Sequence, residues 1–236
     1  MSAKIYLIPT TLGNSPVENV IPQYVVDIIN QTNHYIVENI KTARRYLIKA
    51  GIKTKIDDLT FFELNKHTPI ENYELFLNPI KENKHIGIIS EAGTPGVADP
   101  GADIVALAHK KNIDVVPLVG PSSILLSVMA SGLNGQNFAF VGYIPIKKNE
   151  RIRKIKELEK RSQIDNQTQL FIETPYRNQH LLNDLITTCH PETLLCIATD
   201  ITLPSEFIKT RKIKDWKKGL PDLRKRPTIF LLHQKN

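Results

Sequence analysis

The stretch Ile86-Gly87-Ile88-Ile89-Ser90-Glu91-Ala92-Gly93-Thr94-Pro95-Gly96-Val97-Ala98-Asp99-Pro100-Gly101 decides the fold. Its first five residues form an apolar run of strand length, with Gly87 leaving room for a neighbouring backbone. The glycines and prolines that follow specify a fixed turn. Asp99 is placed to cap a following helix, with Pro100 at its first position, where a missing N–H costs nothing. A strand, a small-residue loop and a helix in this order define an α/β layer, which binds ligands at the carboxyl ends of its strands. The loop has neither the G-x-G-x-x-G fingerprint of a dinucleotide site nor the G-K-[ST] of a phosphate loop.

Working outward, strands are expected over Lys4–Ile8, His34–Glu38, Phe61–Leu64 and Asp114–Leu118. Helical stretches run from the second strand to Ala50 and over about Glu71–Leu77, the latter ended by Pro79. The second half offers helices over Ser122–Ala130, Asn149–Arg161 and Arg177–Thr188. Strands are expected there at Phe138–Gly142, Gln169–Glu173, Leu194–Ala198, Glu206–Thr210 and Thr228–His233. Short apolar strands alternating with helices predict a mainly parallel first sheet. Helices thin out toward the end, which predicts antiparallel pairing and a mixed second sheet. The reading is two α/β domains, 1–118 and 119–236, with a cleft between them.

The chain has 236 residues, 41% of them hydrophobic, enough for a real core. No apolar run approaches the roughly 18–20 residues that cross a bilayer, and the first residues do not form a signal peptide. A cytoplasmic protein is expected. Two cysteines, Cys189 and Cys196, cannot make a disulfide framework or a zinc site and read as reduced core thiols. The net charge of +7 is unevenly placed: residues 1–119 carry a net of −1 and residues 120–236 a net of +8. Two clusters, Lys147–Arg161 and Lys209–Arg226, hold most of the excess, as expected of a solvated face or of one that meets polyanions. Trp216 is the only aromatic residue in the second cluster, which therefore offers no obvious base-stacking platform.

Further turns follow strands in both halves: Thr10-Thr11-Leu12-Gly13-Asn14, Gly120-Pro121-Ser122-Ser123, Phe140-Val141-Gly142-Tyr143-Ile144-Pro145 and Glu173-Thr174-Pro175-Tyr176-Arg177. In order, S-E-A-G-T-P-x-x-x-D-P-G, G-P-S-S, F-x-G-Y-x-P-x-K-x-x-x-R and E-T-P-x-R resemble the tetrapyrrole-methylase-like (class III) S-adenosylmethionine-dependent methyltransferases. The likeness is strongest to the ribosomal RNA small subunit methyltransferase I group, which methylates a cytidine ribose 2′-O. It runs from about Ile5 to about Lys214. The resemblance implies a homodimer of two-domain chains that holds S-adenosylmethionine and calls for no metal. Carried over by motif, the cofactor contacts are Thr11, Ala92, Gly93, Thr94, Val97, Ser122, Ser123 and Glu173. Glu38 or Glu91 is the general-base candidate for the acceptor hydroxyl, and Arg44, Arg45, Arg151 and Arg177 are candidates for RNA phosphates.

The chain departs from the usual motifs in places. Thr10-Thr11-Leu12-Gly13-Asn14 stands for T-P-I-G-N, Glu38-Asn39-Ile40-Lys41 for E-D-T-R, and Thr199–Glu206 retains little of R-E-L-T-K-x-x-E-E. The cofactor side is kept better than the acceptor side. Two other readings follow: a divergent class III enzyme acting on a tetrapyrrole or other small acceptor, and a non-catalytic homologue that binds cofactor or RNA.

Overall fold

The computed structural model describes residues 2–65 and 67–235. Two compact units meet at the Ser122–Ser123 peptide bond. In the first, the elements run β1 (Ile5–Ile8), α1 (Gln23–Ile29), β2 (His34–Val37), α2 (Ile40–Lys49), β3 (Thr60–Glu63), α3 (Tyr73–Phe76), α4 (Asn78–Lys81), β4 (Ile86–Ile89), α5 (Gly101–Lys110) and β5 (Val115–Pro117). All five strands are parallel, in the order β3-β2-β4-β1-β5. The period of two along each strand divides the core. Ile5, Ile36, Ile86 and Ile88 face α5 through Ile104 and Ala108. Tyr6, Ile8, Tyr35 and Val37 face α1 and α2 through Val25, Ile28 and Leu47. Helices on both faces make the sheet doubly wound. At Gly87 it is side chains, not a backbone, that close over the strand: a Cβ there would stand 2.6 Å from Ile8 Cδ1 and 2.9 Å from Tyr35 Cδ1.

Three sequence expectations change. Pro79 does not end a helix but lies in the first turn of α4, where its missing N–H is harmless. α1, which the reading above lacked, opens after Pro22 and buries Val25, Ile28 and Ile29 at helical spacing. α5 starts at Gly101, so Pro100 is the cap residue and Asp99 lies one position outside.

The second unit contains α6 (Ser123–Ser131), β6 (Phe138–Tyr143), α7 (Lys148–Asp165), β7 (Thr168–Ile172), α8 (Asn178–Thr188), β8 (Leu194–Thr199), β9 (Phe207–Lys212), α9 (Ile213–Trp216) and β10 (Thr228–His233). The sheet order is β6-β7-β10-β8-β9, with β6 and β7 parallel and the other pairs antiparallel. α7 and α8 bury Ile155, Leu158, Leu181, Leu182 and Leu185 against Phe171, Phe230 and Leu232. The α7 helix continues past Arg161 until Asn166 takes the left-handed conformation at φ 46°. Both cysteines are free and buried. Burial pushes both thiols up, that of Cys196 to about 11, so neither is a thiolate nucleophile near neutral pH.

Candidate active site

In the first unit the chain leaves β1 for β2 on one side of the sheet and leaves β4 for β5 on the other. The connections from β1 and β4 therefore leave the carboxyl edge in opposite directions, and this switch point is where such sheets hold ligands. Three loops converge there on Gly93. Thr10 N–H donates to Gly93 O at 2.9 Å. A Cβ on Gly93 would stand 3.0 Å from Leu12 Cδ2 and 3.1 Å from Pro121 O, and its φ of +72° is left-handed. The small residue at 93 is thus fixed by the loops themselves, independently of any ligand. Ala92 is exposed, Thr94 and Ser122 are half-buried, and Val97 is exposed, so these four remain open to one.

Gly120 is tighter still. A Cβ there would fall 2.2 Å from Pro9 Cβ and 2.3 Å from Pro9 Cγ. A proline ring cannot swing aside, so Gly120→Ala must push the β5 loop away from the β1 loop. The expected loss is about 3 kcal/mol, at the upper end for overpacking, with cofactor affinity falling in the protein that still folds. Thermal unfolding and calorimetric titration of this variant check both effects.

Beside these loops a small recess of about 70 Å³ is lined by Thr10, Thr11, Asn39, Thr42, Tyr46 and Glu91, among others. One helix face builds most of a wall: Asn39, Thr42, Ala43 and Tyr46 follow helical spacing. The Asn39 side chain accepts from the N–H groups of Lys41 and Thr42 and so caps α2. An aspartate here would do the same, so the departure from E-D-T-R keeps the helix start. Thr42 Oγ1 donates to Glu91 Oε1 at 2.5 Å, and Tyr46 Oη donates to Pro9 O at 2.7 Å. Thr10 is buried and its hydroxyl has no partner among the described residues. A buried hydroxyl without a partner fits a site that a polar ligand completes. Thr10, Thr42 and Tyr46 were missed in the sequence; only the 39-42-43-46 spacing signalled the last two.

Glu38, Glu91 and Asp99 gather at this edge. Burial, and then the charges of Asp99 and Glu91, push the Glu38 carboxyl above its ordinary value against the lowering effect of the Glu91 N–H. Asp99 is raised by burial and held back by N–H groups of Gly101, Gly96 and Val97. Its two oxygens accept from Gly96 at 2.8 Å and Gly101 at 2.7 Å, so it ties the loop to the start of α5. The Glu38 carboxyl is thus shifted upward, the direction that favours a general base.

In the second unit Ser123 opens α6. Glu173, buried after β7, accepts from Thr174 N–H and from Arg177 Nη2, both at 2.7 Å. Burial pushes its carboxyl up, but the Arg177 and Thr174 hydrogen bonds and the positive charges of Arg177 and Arg151 bring it below its ordinary value. Its Oε2 is buried with no partner among the described residues, a second acceptor suited to a ligand donor.

Of the arginines, Arg45 is exposed, and Arg44 lies 3.7 Å from Asp57 with its guanidinium over Phe61. Arg151 is a correction. It is buried, its Nε and Nη2 reach Asp184 Oδ2 at 2.7 and 2.6 Å, and Nη1 donates to Ile146 O. Its charge joins α7 to α8 inside the unit and does not face phosphate. Trp216 is also internal, its indole N–H donating to Leu195 O at 2.9 Å.

The parallel doubly wound unit followed by a mixed second sheet is a fold found among solved methyltransferases. The methyltransferase CobJ shares it with a TM-score of 0.65 at 17% identity, 99% of this chain aligning with 95% of that one. Uroporphyrin-III C-methyl transferase from Thermus thermophilus, solved with S-adenosyl homocysteine, gives a TM-score of 0.58 at 15% identity, with 98% of each chain covered. No family model matches the sequence. The ribosomal RNA small subunit methyltransferase I of Buchnera aphidicola subsp. Schizaphis graminum is 30% identical over 217 residues, 91% of this chain and 72% of the relative. That of Vibrio cholerae is 27% identical over 232 residues, 97% and 76%. The chain belongs to the ribosomal RNA small subunit methyltransferase I family.

Proposed function

We propose that the chain transfers a methyl group from S-adenosylmethionine to ribosomal RNA, at a cytidine ribose 2′-O of the small subunit. Membership of the family carries this reading, and the solved relative with S-adenosyl homocysteine supports the donor. Bound S-adenosylmethionine supplies a methyl carbon made electrophilic by its sulfonium. Thr11, Ala92, Gly93, Thr94, Val97 and Ser122 are the first unit's proposed contacts to it, and Ser123 and Glu173 the second unit's. Positioning by fixed loops supplies much of the acceleration of such a transfer. A ribose hydroxyl needs help with its proton, and Glu38 is the base we favour. Glu91 serves by holding charge beside it. Arg44, Arg45 and Arg177 are proposed phosphate contacts.

We also infer a cytoplasmic homodimer, as the family resemblance implies. Leu125 and Met129, one turn apart on α6, are 54% and 78% exposed, an apolar stripe suited to a second copy. Among the described residues no helix is long and apolar enough to cross a membrane.

Calorimetric titration with S-adenosylmethionine, followed by tritiated methyl transfer to small-subunit RNA from a strain lacking the enzyme, tests the reading. Saturable binding and one labelled cytidine are expected. Label in a precorrin-type acceptor instead, or binding with no transfer at all, would overturn it.

A further inference from the structure

The carboxyl ends of β6, β7 and β8 lie at one rim of the second sheet, together with the amino end of β10. At this rim β6 loses register between Phe140 and Tyr143, where Gly142 takes φ +70° with open space where a Cβ would stand. Such an irregularity re-aims the residue that follows it. Tyr143 emerges 65% exposed opposite Ile172, the last residue of β7. The turn after β7 presents Tyr176, 75% exposed, next to Arg177. Arg177 is fixed by Glu173 at 2.7 Å. Lys225 N–H donates to Pro175 O at 3.1 Å, which brings an exposed lysine to the same turn. Two exposed tyrosines, Arg177 and an exposed lysine thus share one rim, in the half of the chain with a net of +8.

We propose that Tyr143 and Tyr176 form a stacking platform for an unpaired RNA base, while Arg177 and Lys225 neutralise the flanking phosphates. The proposal rests on the RNA-directed reading above. Recognition of RNA targets bases splayed from loops, and aromatic faces hold them with little regard to sequence. The cations set the salt dependence, and the rings do not.

The test measures fluorescence anisotropy of the full chain with a labelled 12-nucleotide single strand and with the same strand in a duplex. Tyr143→Ala and Tyr176→Ala should each weaken single-strand binding about 10- to 100-fold. Duplex binding, cofactor affinity and the salt slope should hardly change. Tyr→Phe at both positions should restore affinity, which separates ring stacking from misfolding. Lys225→Ala should instead reduce the salt slope by about one. Wild-type affinity in the two alanine variants would remove the platform and leave the RNA reading standing. No RNA binding by the wild type would remove both. If the alanine variants bind naked RNA normally but lose a ribosomal protein, the surface recognises protein and the proposal fails.

Discussion

Glu38→Gln should lower the rate of methyl transfer by about 10²- to 10⁴-fold, the range for loss of a positioned base, with S-adenosylmethionine affinity nearly unchanged. The pH profile distinguishes this role from a structural one. Burial and the charges of Asp99 and Glu91 raise the Glu38 carboxyl, so the acidic limb of the profile should lie at higher pH than an unperturbed glutamate would give. Glu91→Gln removes one of those charges and should move that limb to lower pH. The stability sign is opposite to that of most carboxylates. A raised folded-state pKa means that the contribution to stability is present at low pH and is lost as pH rises through the folded value. Glu38→Gln should therefore be more stable than the parent near neutral pH. A single-turnover pH series with thermal melts reads all three effects. An acidic limb unmoved by Glu91→Gln would exclude Glu38 as the base.

Asp184→Ala should destabilise the second unit by about 3–5 kcal/mol, the usual loss when one partner of a buried ion pair is removed. The two side chains are only 10% and 12% exposed, and Arg151 would keep its charge with a single carbonyl partner, Ile146 O. Replacing both, as Arg151→Met with Asp184→Leu, should cost far less, since no charge is then stranded. Denaturant midpoints for the two single variants and the pair give the coupling directly. The same Arg151→Met variant tests the internal role of that arginine. RNA affinity, corrected for the folded fraction, should be unaltered, and a drop with a reduced salt slope would return Arg151 to the phosphate contacts.

Much of this was readable before any coordinates. The strand-loop-helix at 86–101 announced the parallel sheet because strand, turn and cap residues are local signals. The helix Gln23–Ile29 escaped because it is short and rich in Val and Ile, which favour strands, although 25, 28 and 29 carry the spacing. Arg151 looked like a phosphate contact because a basic helix displays charge. Its fate depended on Asp184, 33 residues away, which no periodicity reveals. Trp216 was singled out as the aromatic of the basic cluster and proved to be core, whereas Tyr143 stood out only as a motif position and Tyr176 carried no signal beyond its place after a strand. The acidic edge was half legible. Glu38 and Glu91 stood near motif loops, but the Thr42 hydroxyl that grips Glu91 depends on a tertiary contact.

The position of β10 has a further consequence. The strand closest to the end of the sequence is hydrogen-bonded to β7 on one side and β8 on the other. The first sheet is complete once residue 117 has been made, but the second stays in two halves until residue 233 is available. During vectorial synthesis one lobe can reach its native pairing while the other waits with two open sheet edges, exposed to aggregation or chaperone capture.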